Sequence, residues 1–158
     1  MQKITPFLWF NDNAEEAVNK YTNLFPDSKI ISISKYPDAI PGFGGKVMTI
    51  EFELFGQPFT ALNGNSQSKF TEAISFMVHC KTQEEVDKYW NALLEEGQPQ
   101  ACGWLKDKYG VSWQITPDVL LEMIQDADKE KAARVMQAMM QMIKIDIATL
   151  EKAYNNEV

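Results

Sequence analysis

The sequence has a single histidine and two cysteines in 158 residues, and this scarcity removes several kinds of chemistry. His79 stands beside Cys80 in a stretch that reads as a strand, where neighbouring side chains point to opposite faces and cannot share an ion. Local metal ligation is thereby disfavoured, and a Ser-His-Asp triad has one candidate base and no visible partners. Neither Cys80 nor Cys102 belongs to a C-x-x-C pair. Both read as small buried hydrophobes in a reducing compartment rather than as a bridge or a nucleophile. Nowhere do about 18 apolar residues run together, and the first residues lack the apolar core of a signal peptide. The chain is therefore expected to be soluble and cytoplasmic, without a membrane partner. Clustered basic charge is also missing: the net charge is -7 and the lysines are scattered, which argues against nucleic acid. There is no G-x-x-x-x-G-K-[ST] loop, no G-x-G-x-x-G after a strand and no G-x-S-x-G elbow. Residues 41–46, Pro-Gly-Phe-Gly-Gly-Lys, look like a phosphate loop only superficially and read as a mobile loop or lid.

What is present points to one globular unit. The chain is 45% hydrophobic, enough for a sizeable core at this length. Residues 102–117 carry the clearest local signal. Trp104, Val111, Trp113 and Ile115 give two strands, residues 107–110 make the tight turn between them with Gly110 supplying a positive φ, and Pro117 ends the second strand. Gln114 is a lone amide in this apolar hairpin.

Upstream, residues 3–10 form an apolar strand. A helix follows, with Asn13 as N-cap, Glu16 three residues on, apolar positions at Ala14, Ala17, Val18, Tyr21, Leu24 and Phe25, and a stop at Pro26. Strands are expected over 29–36, 47–55 and 57–63, with Gly56 and Gln57 at the last turn. After a polar linker, 63–69, the pattern restarts. Residues 73–81 read as a strand, Thr82 with Glu85 as a capping box, Val86, Tyr89, Trp90, Leu93 and Leu94 as an apolar stripe, and Gly97 as the helix end. The helices share residues in register: Val18, Lys20, Tyr21 and Asn23 match Val86, Lys88, Tyr89 and Asn91. Two copies of a strand-helix-strand-strand-strand module are thus predicted. The second is compressed, leaving its first return strand, near 98–100, very short or missing.

Beyond Pro117 the pattern is helical. Ala132, Val135, Met136, Met139, Met140 and Ile143 lie on one apolar face, either a pliable partner surface or an arm packed on its own sheet or on a second subunit. A last short helix spans 146–154. Glu51 and Glu53 alternate with Phe52 on a strand and face water together, with a catalytic acid pair as the alternative reading. Aromatic residues on the strands, with Ser75, Asn63, Ser112 and Gln114 as polar insertions, suit a sheet enclosing an apolar cavity.

Residues 4–10 (Ile-Thr-Pro-Phe-Leu-Trp-Phe), 13–18 (Asn-Ala-Glu-Glu-Ala-Val), 72–76 (Glu-Ala-Ile-Ser-Phe) and above all 103–114 (Gly-Trp-Leu-Lys-Asp-Lys-Tyr-Gly-Val-Ser-Trp-Gln) resemble the PhnB-like group of the vicinal oxygen chelate superfamily. That superfamily includes glyoxalase I, bleomycin-resistance proteins and extradiol dioxygenases. The resemblance spans nearly the whole chain, the C-terminal arm included. It implies an α+β fold of paired βαβββ modules with curled sheets, over 1–66 and 67–117, a helical extension over 118–158, and a homodimer. In metal-binding members, a ligand stands on the first and on the last strand of each module. Carried over by spacing from the helix starts, these positions fall on Pro6 and Ser75, and near Asn63 and on Gln114. This set implies no resident cofactor, with Gln114 the one plausible ligand should a divalent metal bind. The group has often carried the name 3-demethylubiquinone-9 3-methyltransferase, yet the doubly wound βα pattern and glycine-rich turn of a typical methyltransferase are not in the sequence. The resulting expectation is a small organic ligand held by Gln114, Asn63 and Ser75, with Leu8, Phe10, Met77 and Ser112 lining the wall by period-two alternation. A metal-dependent lyase, isomerase or dioxygenase, and a non-catalytic sequestration protein, are the alternatives.

Overall fold

The computed structural model describes residues 2–64 and 67–157. Residues 65 and 66, where the sequence places the boundary between modules, and the ends of the chain lie outside them. The fold is α+β. The first compact unit, Met1–Lys69, contains β1 (Phe7–Phe10), α1 (Ala14–Leu24), β2 (Lys29–Lys35), β3 (Val47–Leu54) and β4 (Gln57–Asn63). Its open sheet has the order β1-β4-β3-β2, with β1 parallel to β4 and the other pairs antiparallel. The second, Phe70–Val158, contains β5 (Phe76–Cys80), α2 (Gln83–Leu94), β6 (Gln98–Pro99), β7 (Trp104–Lys106) and β8 (Ser112–Pro117). Its order, β5-β8-β7-β6, repeats the first, again with a parallel pair on the first strand. The compressed return strand exists as the two residues of β6. Then come α3 (Asp118–Ile124), α4 (Lys129–Met140) and α5 (Ile147–Tyr154). Among the described residues no helix is long and apolar enough to cross a membrane.

Each sheet has one face under a helix. In the first unit Leu8, Phe10, Ile50, Phe52, Phe59, Ala61 and Asn63 are buried while their strand neighbours are more exposed, and α1 contributes Ala14, Ala17, Val18 and Tyr21 to the same core. Phe52 and Phe59 stack with centroids 5.3 Å apart. Burying each such side chain contributes about 2–3 kcal/mol. In the second unit Val78, Cys80, Leu105, Trp113 and Ile115 are buried together with Val86, Tyr89, Trp90 and Leu93 of α2.

Local chemistry explains the boundaries, with differences from the sequence reading. Thr82 caps α2 as expected: Glu85 N donates to its Oγ1 at 3.2 Å, and Lys81 N donates back to Glu85 Oε2 at 2.6 Å. Asn13 makes no side-chain capping bond. Its place is taken from across the sheet, where Ala14 N donates to Asn63 Oδ1 at 2.8 Å. The turn between β3 and β4 is centred on Phe55 and Gly56, both at positive φ, one residue earlier than the sequence suggested and as a two-residue hairpin requires. After α2 the left-handed residue is Glu96, not Gly97. Gly97 serves close approach instead, since a Cβ there would overlap Lys106 O. The loop that holds residues 41–46, read as a mobile loop or lid, closes on itself: Tyr36 N donates to Lys46 O, Gly45 N to Tyr36 O, and the Tyr36 and Phe43 rings stand 4.8 Å apart.

The C-terminal arm packs on its own unit. Leu120, Val135, Ile145 and Leu150 form a separate core flanked by Met123, Met139 and Met142. The apolar stripe expected over 132–143 is therefore divided, with Ala132 and Val135 of α4 buried, Met136 and Met140 exposed, and Ile143 exposed beyond the helix end. Backbone bonds Cys102 N to Met142 O and Gly103 N to Ile143 O fasten the arm to the start of the hairpin. Gln83 completes the clamp, donating to Ile145 O at 3.0 Å and accepting from Ile147 N at 2.8 Å.

Candidate functional site

The site is built on the face of the second sheet turned away from α2. Direct pairing sets Met77 opposite Gln114, Trp104 opposite Gln114 and Lys106 opposite Ser112, and such pairs share a face. The hairpin register is fixed at its turn. Asp107 is buried, and its carboxylate accepts from Tyr109 N at 2.9 Å, Val111 N at 3.0 Å and Trp113 Nε1 at 2.9 Å. Gly110, at φ +90°, closes the turn by donating to Asp107 O at 3.0 Å. The D-x-x-G sequence is thus a carboxylate clamp that holds β7 and β8 in the pairing described.

On this face Gln114 Nε2 donates to Ser75 Oγ at 2.9 Å. That geometry leaves the Gln114 amide oxygen as an acceptor and the Ser75 hydroxyl hydrogen as a donor. Ser112 is only 1% exposed, yet among the described residues its Oγ has no hydrogen-bond partner. A buried hydroxyl left unsatisfied costs about 1–3 kcal/mol. Trp104 is half-buried, and Lys106 Nζ lies 3.5 Å from Glu72 Oε2. A backbone hydrogen bond, then the Lys106 ammonium, hold the Glu72 carboxyl below the usual carboxylate range. Sequence reasoning did not place Trp104 or Lys106 in the site; the period-two spacing from Ser112 and Gln114 across a two-stranded hairpin was the available signal.

His79 shares the face with Met77 and has a partner the sequence did not reveal, since its Nδ1 lies 3.0 Å from Asp118 Oδ1 at the start of α3. Cys80 points the other way into the core, and burial, with the nearby Glu85 and Asp118 carboxylates, pushes its thiol up to about 12. At that value it is not a nucleophile at neutral pH.

The first unit differs. Matching the burial pattern of Phe7–Phe10 to that of the last four β5 residues sets Phe7 beside Met77. Phe7 pairs with Thr60 as Met77 pairs with Gln114. The counterpart of Gln114 is therefore Thr60, and that of Ser75 is Thr5. The positions carried over by spacing, Pro6 and Asn63, are displaced from these by an odd number of residues and so lie on the opposite face. Asn63 is consumed structurally, with Oδ1 under Ala14 N and Nδ2 donating to Val47 O at 3.3 Å. Leu8 and Phe10 lie in the same α1-covered core and line no outward wall. Thr5 and Thr60 instead border a cavity of about 440 Å3 that also includes Gln2, Ile31, Glu51 and Glu53. Glu51 accepts from Ser32 Oγ at 2.8 Å, and Glu53 stands 3.8 Å from Lys29 Nζ.

The donor set does not suit a divalent ion. Pro6 offers no side-chain ligand, Asn63 is spent, Ser75 is a neutral alcohol already engaged by Gln114, and a single amide oxygen remains. Among the described residues no three His, Cys, Asp or Glu side chains are grouped to hold a metal.

The 3-demethylubiquinone-9 3-methyltransferase family model matches residues 2–116. The chain belongs to this family and is PhnB-like. A PhnB protein from Bacillus cereus, described as a 3-demethylubiquinone-9 3-methyltransferase, is 44% identical over 73% of this chain and 99% of its own, with a TM-score of 0.69. Protein PA1353 from Pseudomonas aeruginosa, 20% identical over 74% and 98% of the two chains at a TM-score of 0.63, shares the fold. FosX, a fosfomycin resistance protein from Listeria monocytogenes, aligns at 15% identity over 74% and 93%, with a TM-score of 0.47. No curated protein matches the chain. The PhnB-like match ends at Thr116, so the three helices of the arm lie beyond it, a narrower extent than the resemblance implied.

Proposed function

We propose that this PhnB-like protein is a cytoplasmic homodimer that binds a small organic molecule on the Gln114 face of its second module. The observation that carries this reading is the convergence on one strand face of the Gln114–Ser75 hydrogen bond and the exposed Met77 side chain. An apolar surface with a few oriented polar groups is the usual composition of a small-molecule site. No resident cofactor is invoked. A divalent ion would have to draw on the Gln114 oxygen and on ligand or water oxygens. Native mass spectrometry of gently purified protein, followed by titration of the molecule that co-purifies, tests the reading. Gln114→Ala should weaken that molecule about tenfold or more, because it removes the acceptor and unlocks Ser75. Equal affinity in the variant would contradict it.

A second reading, enzymatic proton transfer rather than sequestration, is favoured by the His79–Asp118 pair. A carboxylate on Nδ1 fixes the tautomer in which Nε2 is the free base. His79 pairs with Thr116, next but one to Gln114 along β8. Under this reading His79→Gln should leave ligand affinity within about twofold but lower turnover by about 100-fold. Ligand returned unaltered by both proteins would favour sequestration.

A further inference from the structure

We infer that the ligand taken by the Gln114 face is an aromatic carboxylate carrying a hydrogen-bond donor on the far side of its ring. The inference rests on the site proposed above and names what that site selects. Two ends of the face differ in chemistry. At one, Lys106 pairs directly with Ser112 and its partly exposed side chain brings a cation to that end. The ammonium matches a carboxylate, which accepts from it. At the other end the Gln114 oxygen accepts, its nitrogen being committed to Ser75. Ser112 and Gln114 are two residues apart on one strand, about 7 Å, comparable to the length of a para-disubstituted benzene ring. Trp104, opposite Gln114 and two residues from Lys106, supplies an aromatic surface beside that line, and stacking on it adds to the apolar contact.

Glu72 sharpens the argument. It is the acidic partner of Lys106, and both side chains are partly exposed, so the pair holds Lys106 weakly. An incoming carboxylate competes with Glu72 for the same ammonium. The first module is the internal contrast. By register the counterparts of Lys106 and Trp104 are Glu53 and Glu51, so an aromatic anion finds neither its cation nor its ring there.

The test is titration of the full chain with 4-hydroxybenzoate, 4-hydroxybenzamide and benzoate, followed by tryptophan fluorescence. The acid should bind at least tenfold more tightly than the amide, which retains the ring and hydroxyl but not the charge. Lys106→Gln should abolish that preference, and Glu72→Gln should raise affinity for the acid by about two- to fivefold, opposite in sign to a general loss of structure. Benzoate, lacking the donor, should bind the native protein less tightly, and Gln114→Ala should erase the difference. Equal binding of acid and amide, or a preference unmoved by Lys106→Gln, overturns the inference. So does failure of all three probes at millimolar concentration. The binding-face reading stands or falls separately, on the response of the co-purifying molecule to Gln114→Ala.

Discussion

Replacing Asp107 by alanine is expected to destabilise the protein by about 3 kcal/mol or more, and so to lower its Tm by roughly 10 °C. The carboxylate serves two backbone amides and the Trp113 indole at once, and Val111 and Trp113 are 3% exposed. Water cannot replace the lost acceptor at such donors without opening the hairpin. The asparagine variant separates the contributions. Its oxygen can keep both backbone amides, whereas its NH2 would face the indole N–H, so it should cost about one hydrogen bond, ~1–2 kcal/mol. Trp113→Phe in the asparagine background should then add less than it does in the native background. Urea unfolding measures all of these. A loss under about 0.5 kcal/mol for Asp107→Ala would mean that the turn does not depend on its carboxylate, and the pairing of Trp104 and Lys106 with Gln114 and Ser112 would need another cause.

The second large effect is expected at Ile145. It is 1% exposed, belongs to the arm core, and lies so close to Gly103 that a Cβ there would stand 2.9 Å from its Cγ1. Its carbonyl receives the Gln83 amide. Ile145→Ala should cost about 2–4 kcal/mol through the cavity it leaves. The loss should be local first: amide exchange should accelerate over α4 and α5 before it does in the β5-β8-β7-β6 sheet. Uniform acceleration through the second unit would show instead that arm and sheet unfold together. The family match stops at Thr116, which accords with an arm fastened by a few bonds to a sheet that is complete without it.

The hairpin, the repeated module order, the Thr82 capping box and the short β6 were legible because each rests on residues adjacent in sequence. The face of the first sheet was not. A strand alternates with period two, so a count wrong by one residue exchanges core for solvent. Counting back from the helix start lands on Pro6 rather than Thr5, and that single step carries Leu8 and Phe10 to the buried side. Asn63 misled for a related reason. A polar residue at a strand end reads as a ligand contact, but here it caps a helix whose own N-cap candidate, Asn13, makes no such bond. That substitution spans 49 residues of sequence and leaves no local trace. The Asp118 partner of His79, 39 residues away, is likewise a product of the fold, whereas the Lys106–Ser112 pair lies within the hairpin and was open to its spacing.

The most direct test of the ligand-binding account follows side-chain N–H signals of 15N-labelled protein as the co-purifying molecule is added back. The account predicts that the Gln114 amide and the Trp104 indole shift in a saturable manner while the Asn63 amide, held under α1, stays fixed. Shifts at Asn63 with Gln114 and Trp104 unmoved would place the ligand elsewhere and contradict the assignment of the site.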